Sequence, residues 1–172
     1  MSKLFALILC LFLITGCQSQ SLVNISGNYT DHVYTNAYFN ISALLDDEWS
    51  VDTDTIDFYA QKNEGFYTIN VQVQYDQEVE KEEDLIDNYK SKIKSKIKSR
   101  GYILNDLQTG KESFAGQVHP YVYTDSTCEY EDGTSVRFYE KQYLIKEKEA
   151  IAIITLCSFR EDKTGDLANL FQ

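Results

Sequence analysis

The run Glu149 to Phe159, EAIAIITLCSF, is apolar in both phases of a two-residue alternation. A strand of that kind has to be covered on both faces, which makes it the central strand of a sheet with one layer above and another below. The rest of the chain must supply those layers. SVRFYEKQYLI, Ser135 to Ile145, precedes it across Lys146-Glu147-Lys148 and reads as its hairpin partner. Further upstream, YILNDLQTGKESF reads as a short strand and turn, and GQVHPYVYTDS, Gly116 to Ser126, as another strand. Pro120 inside that strand argues for an edge or a bulge, because proline cannot donate to a ladder.

The clearest covering element is a helix. In EEDLIDNYKSKIKSKIKSRG, residues Leu85, Tyr89, Ile93 and Ile97 recur every four positions and form one apolar stripe. Glu82, Glu83 and Asp84 fall in its first turn, Lys94, Lys96, Lys98 and Arg100 at its end, and Gly101 where a left-handed cap belongs. Before it, His32 to Leu45 reads as one or two short strands, followed by the acidic turn DDEWS with the single tryptophan, Trp49. Thr55 to Gln61 and the alternating FYTINVQVQY, Phe66 to Tyr75, read as strands joined by the turn Lys62 to Gly65. A short helix near DKTGDLANLF closes the chain, with Leu167, Leu170 and Phe171 directed inward. Strands, long helix, antiparallel strands and terminal helix make an α+β domain with an antiparallel sheet. The 13 Tyr and 9 Phe against a single Pro fit a sheet-rich fold.

HVYTNAYFNISALLDDEW, the central helix, GKESFAGQVHPYVY and VRFYEKQYLIKEKEAIAIITLCS together resemble bacterial lipoproteins with the PsbP-like fold, over about Asp31 to Phe171. The matching features are a Tyr-Asn-aromatic strand leading to a tryptophan, here Tyr34-Thr35-Asn36 to Trp49, and a Gly-headed strand before a meander ending in an apolar strand, here Gly116 to Phe159. The chain departs from the pattern in lacking Pro-Gly before Trp49 and a short helix after it. The resemblance implies an α/β/α sandwich. It also implies an accessory or binding role, since members include an extrinsic subunit of photosystem II and a Ran-binding transport factor. It carries over no site residue.

The amino end adds a location. Lys3 is a basic start, Leu4 to Ile14 is an apolar stretch too short to cross a bilayer, and Ile14-Thr15-Gly16-Cys17 resembles the lipobox of bacterial lipoproteins. The resemblance implies that Cys17 receives a diacylglyceryl group and becomes the new amino end after cleavage, which leaves several acyl chains as a stable anchor. The expected organisation is therefore a signal peptide over 1–16, a polar tether over 17–30 and one domain over 31–172. The expected location is the bacterial cell membrane, on its extracytoplasmic face. Removing sixteen residues from 172 leaves 156, enough for one substantial core. Removing Lys3, one positive charge, from a chain of net charge −11 leaves −12. So acidic a chain is not expected to grip nucleic acid, and its membrane partner is the lipid on Cys17.

Candidate chemistry is sparse. With Cys10 in the leader and Cys17 acylated, Cys128 and Cys157 remain, either as a disulfide suited to an oxidising compartment or as two buried thiols. Asp46, Asp47, Glu48, Asp52, Asp54 and Asp57 form an oxygen-rich stretch of the kind that holds calcium, but without EF-type spacing a solvated acidic turn is the expectation. Lys90, Lys92, Lys94, Lys96 and Lys98 read as the soluble face of the helix, with an anionic partner as the alternative. His32 and His119 lack the company a catalytic centre needs, and no nucleophile or zinc motif is present. Tyr121, Tyr123, Tyr139 and Tyr143 share one face of the meander, either as a binding surface or as the face beneath a covering layer. The sequence thus points to a non-enzymatic, cofactor-free binding or accessory lipoprotein acting on a protein or envelope component. A small-ligand or calcium-binding lipoprotein is the second reading.

Overall fold

The computed structural model describes residues 24–52, 58–75 and 82–172. Among these described residues, ten strands run in the order β1 (Asn28–Thr30), β2 (Val33–Asn36), β3 (Ile41–Leu44), β4 (Ser50–Asp52), β5 (Phe58–Lys62), β6 (Tyr67–Tyr75), then β7 (Ile103–Phe114), β8 (Gln117–Glu129), β9 (Ser135–Glu147) and β10 (Ala150–Phe159). Helix α1 (Glu82–Ser99) separates β6 from β7, and the short α2 (Thr164–Ala168) follows β10. A seven-stranded sheet has the order β4-β5-β6-β10-β9-β8-β7, so the doubly apolar strand is its middle member. Every pairing in it is antiparallel.

The two phases of β10 feed two cores. Ile151 and Ile153 join Val122, Leu144 and the Leu85, Tyr89, Ile93 and Ile97 stripe of α1. Ala150, Ala152, Ile154 and Leu156 face the other way, into a larger core with Tyr34, Phe39, Ile41, Leu45, Tyr143, Leu167 and Phe171. The covering layer on that side is mixed: a three-stranded sheet, β1-β2-β3, together with α2. Residues after α2 join it too, since Ser42 and Gln172 exchange backbone hydrogen bonds of 3.1 and 2.8 Å. The architecture is therefore a long helix, a central antiparallel sheet, and a third layer that is part sheet and part helix.

Local chemistry accounts for the boundaries. Gly101 has φ +71, its N–H donates to the Lys98 carbonyl, and the Tyr102 N–H reaches back to Ile97. That pair of bonds closes α1 as a Schellman motif, with Tyr102 packed on the α1 core. Ala115 and Gly116 both have positive φ and make the two-residue turn between Phe114 and Gln117, as a tight hairpin requires. Pro120 pairs with Lys111 on β7, while the β8–β9 ladder starts only at Tyr121. The expected edge is thus a local one at the end of an interior strand.

Two readings change. The stretch over 103–114 is a twelve-residue strand rather than a short strand and turn, with an irregularity between Leu104 and Asp106. The polar stretch read as a tether through Thr30 also enters the fold earlier: Ile25 is buried, its carbonyl accepts from Asn36 Nδ2 at 2.9 Å, and Asn28–Thr30 pairs with β2. The apolar Ile25 and the need of β2 for an edge partner draw these residues in. The leader, the lipobox and Cys17 lie outside the described residues, as do Thr55 to Asp57 at the start of the strand expected there.

Candidate functional site

The candidates from sequence are placed as follows. The register sets Tyr121 opposite Tyr143 and Tyr139 opposite Asp125, so the four tyrosines do share a face. Tyr143 is fully buried and stacked on Phe114 with centroids 4.0 Å apart, and Tyr139 is buried as well. Tyr121 and Tyr123 are half-buried. The Tyr143 hydroxyl meets Glu112, whose carboxylate lies 2.5 Å from Lys141 Nζ, and Tyr123 donates to Asp162 at 2.9 Å. Burial first, and then these carboxylates, push both phenols above their ordinary range. The row is in large part the wall of the core, with only Tyr121 and Tyr123 reaching the surface.

Cys128 and Cys157 are free thiols. Cys128 stands opposite Val136 and Cys157 opposite Glu140, on the two strands that flank β9. Two strand spacings and four residues of offset separate them by roughly 15 Å, beyond the span of a disulfide. Cys157 sits 3.7 Å from Glu140, which Lys96 approaches at 3.7 Å. Burial and the Glu140 charge push that thiol up to about 12. In the acidic turn, Lys62 Nζ lies 2.9 Å from Asp46 and 2.6 Å from Glu48, so a cation already stands between two of the acids. The bond from Lys62 holds the Asp46 carboxyl below its usual range. Asp47 faces His32 at 3.4 Å, and Asp54 and Asp57 lie outside the described residues. Among the described residues no group of three or more His, Cys, Asp or Glu converges to hold a metal ion. His119 lies edge-on to Phe114 at 6.4 Å.

Concavity gathers elsewhere, at the end of the large sheet formed by the β5–β6 turn, the β8–β9 turn and the link from β10 to α2. A cleft of about 280 Å³ runs between the acidic turn and α2, with Trp49, Tyr67, Leu167 and Leu170 as its apolar lining and Lys62 and Lys163 beside them. Tyr67 also borders a hollow of about 410 Å³ with Phe66, Phe159 and Arg160. Those last three residues border a further hollow of about 250 Å³ that includes Tyr130 and Val136. Shared walls make these one groove. Phe66 and Phe159 meet edge to face at 6.4 Å, and Phe159 continues to Phe138 at 5.9 Å. The Arg160 guanidinium lies 4.8 Å over Phe66. The groove is built from turns far apart in sequence, which have no common period. A tryptophan and exposed aromatics at strand ends were its only trace.

No family model matches the chain, and no curated protein matches its sequence significantly. Solved structures do match its shape. The solution structure of cyanobacterial PsbP (CyanoP) from Synechocystis superimposes with a TM-score of 0.51 at 13% identity, over 88% of this chain and 95% of that one. The fold is PsbP-like. A crystal structure of LpqN, involved in cell envelope biogenesis of Mycobacterium tuberculosis, is similar at a TM-score of 0.47 and 12% identity, over 76% of this chain and 78% of that one.

In this PsbP-like domain the groove and the chain entry stand at opposite poles. Ile25 is tied to Asn36, and the next turn is tied to the β9–β10 turn by Tyr38 donating to the Glu147 carbonyl at 3.1 Å. The groove lies at the other end of β10, around Phe159 and Arg160. The ten residues of β10 put roughly 30 Å between the poles.

Proposed function

We propose that this chain is a lipid-anchored, extracytoplasmic binding or accessory protein without chemistry of its own, whose target is a protein or another envelope component. The observation that carries this reading is the opposition of the two poles. From an acylated Cys17, an extended chain to Ile25 reaches at most about 27 Å, so the entry pole would stay close to the membrane. The aromatic groove would then point away from the bilayer, toward whatever lies beyond it.

The titrating groups support a binding role over catalysis. A general acid or base works best with a pKa near the operating pH. Here the resolved shifts move carboxylates down, and thiol, phenols and cations up, away from neutrality. The test has two parts. Cys17→Ser should move the protein from the membrane to the soluble fraction. A photo-crosslinking residue at Tyr130, in the groove, should give adducts in intact cells that one at Tyr75, at the entry pole, does not. Unchanged fractionation would remove the anchor, and adducts confined to Tyr75 would remove the groove.

A further inference from the structure

We propose that the outward face of α1 binds a linear polymer bearing phosphate groups, laid along the helix from Lys90 to Arg100. This rests on the binding role proposed above, adding a second contact to it and naming the target class of that contact. Residues 90–100 carry Lys90, Lys92, Lys94, Lys96, Lys98 and Arg100 and no acid. Taking these six positive charges from the net −11 leaves −17 on the rest of the chain. Exposed charges more than about 8 Å apart are largely screened at physiological salt, so the local lysines decide what this face attracts. The repeat Lys-Ser-Lys-Ile, twice over from Lys90 to Ile97, sorts the side chains into rows four residues apart. Tyr89, Ile93 and Ile97 are the buried row. Lys90, Lys94 and Lys98 form the next, then Ser91, Ser95 and Ser99, then Lys92 and Lys96. All of these outer rows except Lys90 is fully exposed, and members of a row stand about 6 Å apart along the axis. Lys96 lies 3.7 Å from Glu140 and Lys92 lies 4.8 Å over the Tyr89 ring. Lys90, Lys94 and Lys98 form no ion pair among the described residues.

Lysines four apart repel one another and weaken the helix that carries them. The macrodipole accounts for Lys96 and Lys98, in the last turn, but not for Lys90, Lys92 and Lys94, which precede it. An anionic neighbour spanning the rows relieves that repulsion. The residue types choose among such neighbours. Lys and Ser are depleted at protein interfaces, whose anchors are aromatic residues and Arg, and the outer rows offer no such anchor. A carboxylate is best received by the planar fork of an arginine, whereas a phosphate accepts from compact ammonium groups and from hydroxyls. Ser91 and Ser95 stand between the lysine rows as hydroxyl donors small enough to let a chain lie close to the helix. The Ser99 hydroxyl already donates to the Lys96 carbonyl at 2.9 Å. The strip also runs between the two poles. Near the entry pole Gln74 donates to the Tyr89 hydroxyl at 2.8 Å, and beyond the other end Tyr102 meets Phe138 edge-on at 5.2 Å, beside the groove. A flat bilayer against the entry pole meets only the near end of the strip. A polymer rising past the domain follows its whole length.

The experiment is fluorescence anisotropy on the full chain purified in detergent, with labelled linear polyphosphate and with poly-glutamate of the same length. Polyphosphate should bind saturably and weaken as salt is raised, and poly-glutamate should bind about tenfold more weakly. Lys94→Gln with Lys98→Gln should weaken polyphosphate about tenfold and lower the slope of log affinity against log salt by about two. The melting temperature of that double variant should stay within about 4 °C, since glutamine suits a helix. Lys94→Arg with Lys98→Arg keeps the charge and should stay within about twofold, as should Lys148→Gln in the β9–β10 turn. No saturable binding up to about 1 mM, equal affinity for the two polymers, or an indifferent Gln pair would each overturn the proposal. An equal loss in Lys148→Gln would reduce the effect to bulk charge and overturn it too. Displacement of the polymer by phosphatidylglycerol mixed into the micelles would assign the strip to a lipid surface instead. A salt-sensitive dimer abolished by the Gln pair would assign it to a second copy, and either result overturns the proposal. The groove is read separately, by crosslinking from Tyr130 in cells, so the strip and the groove fail independently.

Discussion

The ring of Tyr34 occupies the space where a side chain on Gly27 would stand: a Cβ at Gly27 would fall 2.3 Å from Tyr34 Cε2. Tyr34 is only 2% exposed and packs on Phe58 with centroids 4.3 Å apart, so it has nowhere to retreat. Gly27→Ala should therefore destabilise the domain by about 1–3 kcal/mol through overpacking. Urea denaturation compared with the exposed Ser26→Ala reads this directly. Equal midpoints would mean that residues before Thr30 are indeed a tether.

Asp125 is buried, and its carboxylate is bonded by Arg137 and, at 3.0 Å, by Asn105. The Arg137 bond, with smaller help from Asn105, holds this carboxyl below the ordinary value. A depressed folded-state pKa gives stability that is present above the unfolded value of about 3.9 and lost as pH falls through the folded value. Arg137 is half-exposed, so solvent screens the pair and Asp125→Asn should cost only about 1 kcal/mol at neutral pH. Melting curves should show that difference shrinking as pH falls from about 4 toward the lower folded-state value, below which both proteins carry a neutral group.

The cysteines give a third expectation. Mature acylated protein should yield both Cys128 and Cys157 as thiols in denaturant, with no mobility change between reducing and non-reducing gels. Under native conditions near pH 8, Cys128 should react first, because the Cys157 thiol is pushed up to about 12 and only the thiolate attacks the reagent. A single mixed species with no free thiol would contradict the observed separation.

Gly101 is tested through its backbone. A Cβ there meets nothing within 4 Å, so the only obstacle to alanine is the left-handed φ of +71. Gly101→Ala should cost about 1 kcal/mol, read as a melting temperature about 2–4 °C lower. Asn, which tolerates that conformation, should cost less.

The features that could be read in advance are those governed by burial. The four-residue recurrence of Leu85, Tyr89, Ile93 and Ile97 can serve only a helix lying on a core. The double phase of Ala150 to Phe159 can serve only a strand with cover on both faces. The full length of β7 is not legible beyond a short strand and turn, because an edge strand with one solvated border hardly needs apolar residues: in ILNDLQTGKESF only Phe114 is buried. The early entry at Ile25 rests on one apolar residue and a hydrogen bond from Asn36, too little for a pattern. The groove was beyond a linear reading for a different reason. Trp49, Phe66, Tyr130 and Arg160 are neighbours through the ends of strands that only the sheet order brings together.

Tyr38 and the carbonyl it reaches are 109 positions apart along the chain. A polypeptide emerging amino end first, from a ribosome or a translocation channel, would expose β2 and β3 long before their supporting partners arrive. Those early segments stay supple and threadable until the late strands catch up. Slow, late closure set by such distant pairings is then a property of the topology itself, and it would keep the chain pliant for as long as passage takes.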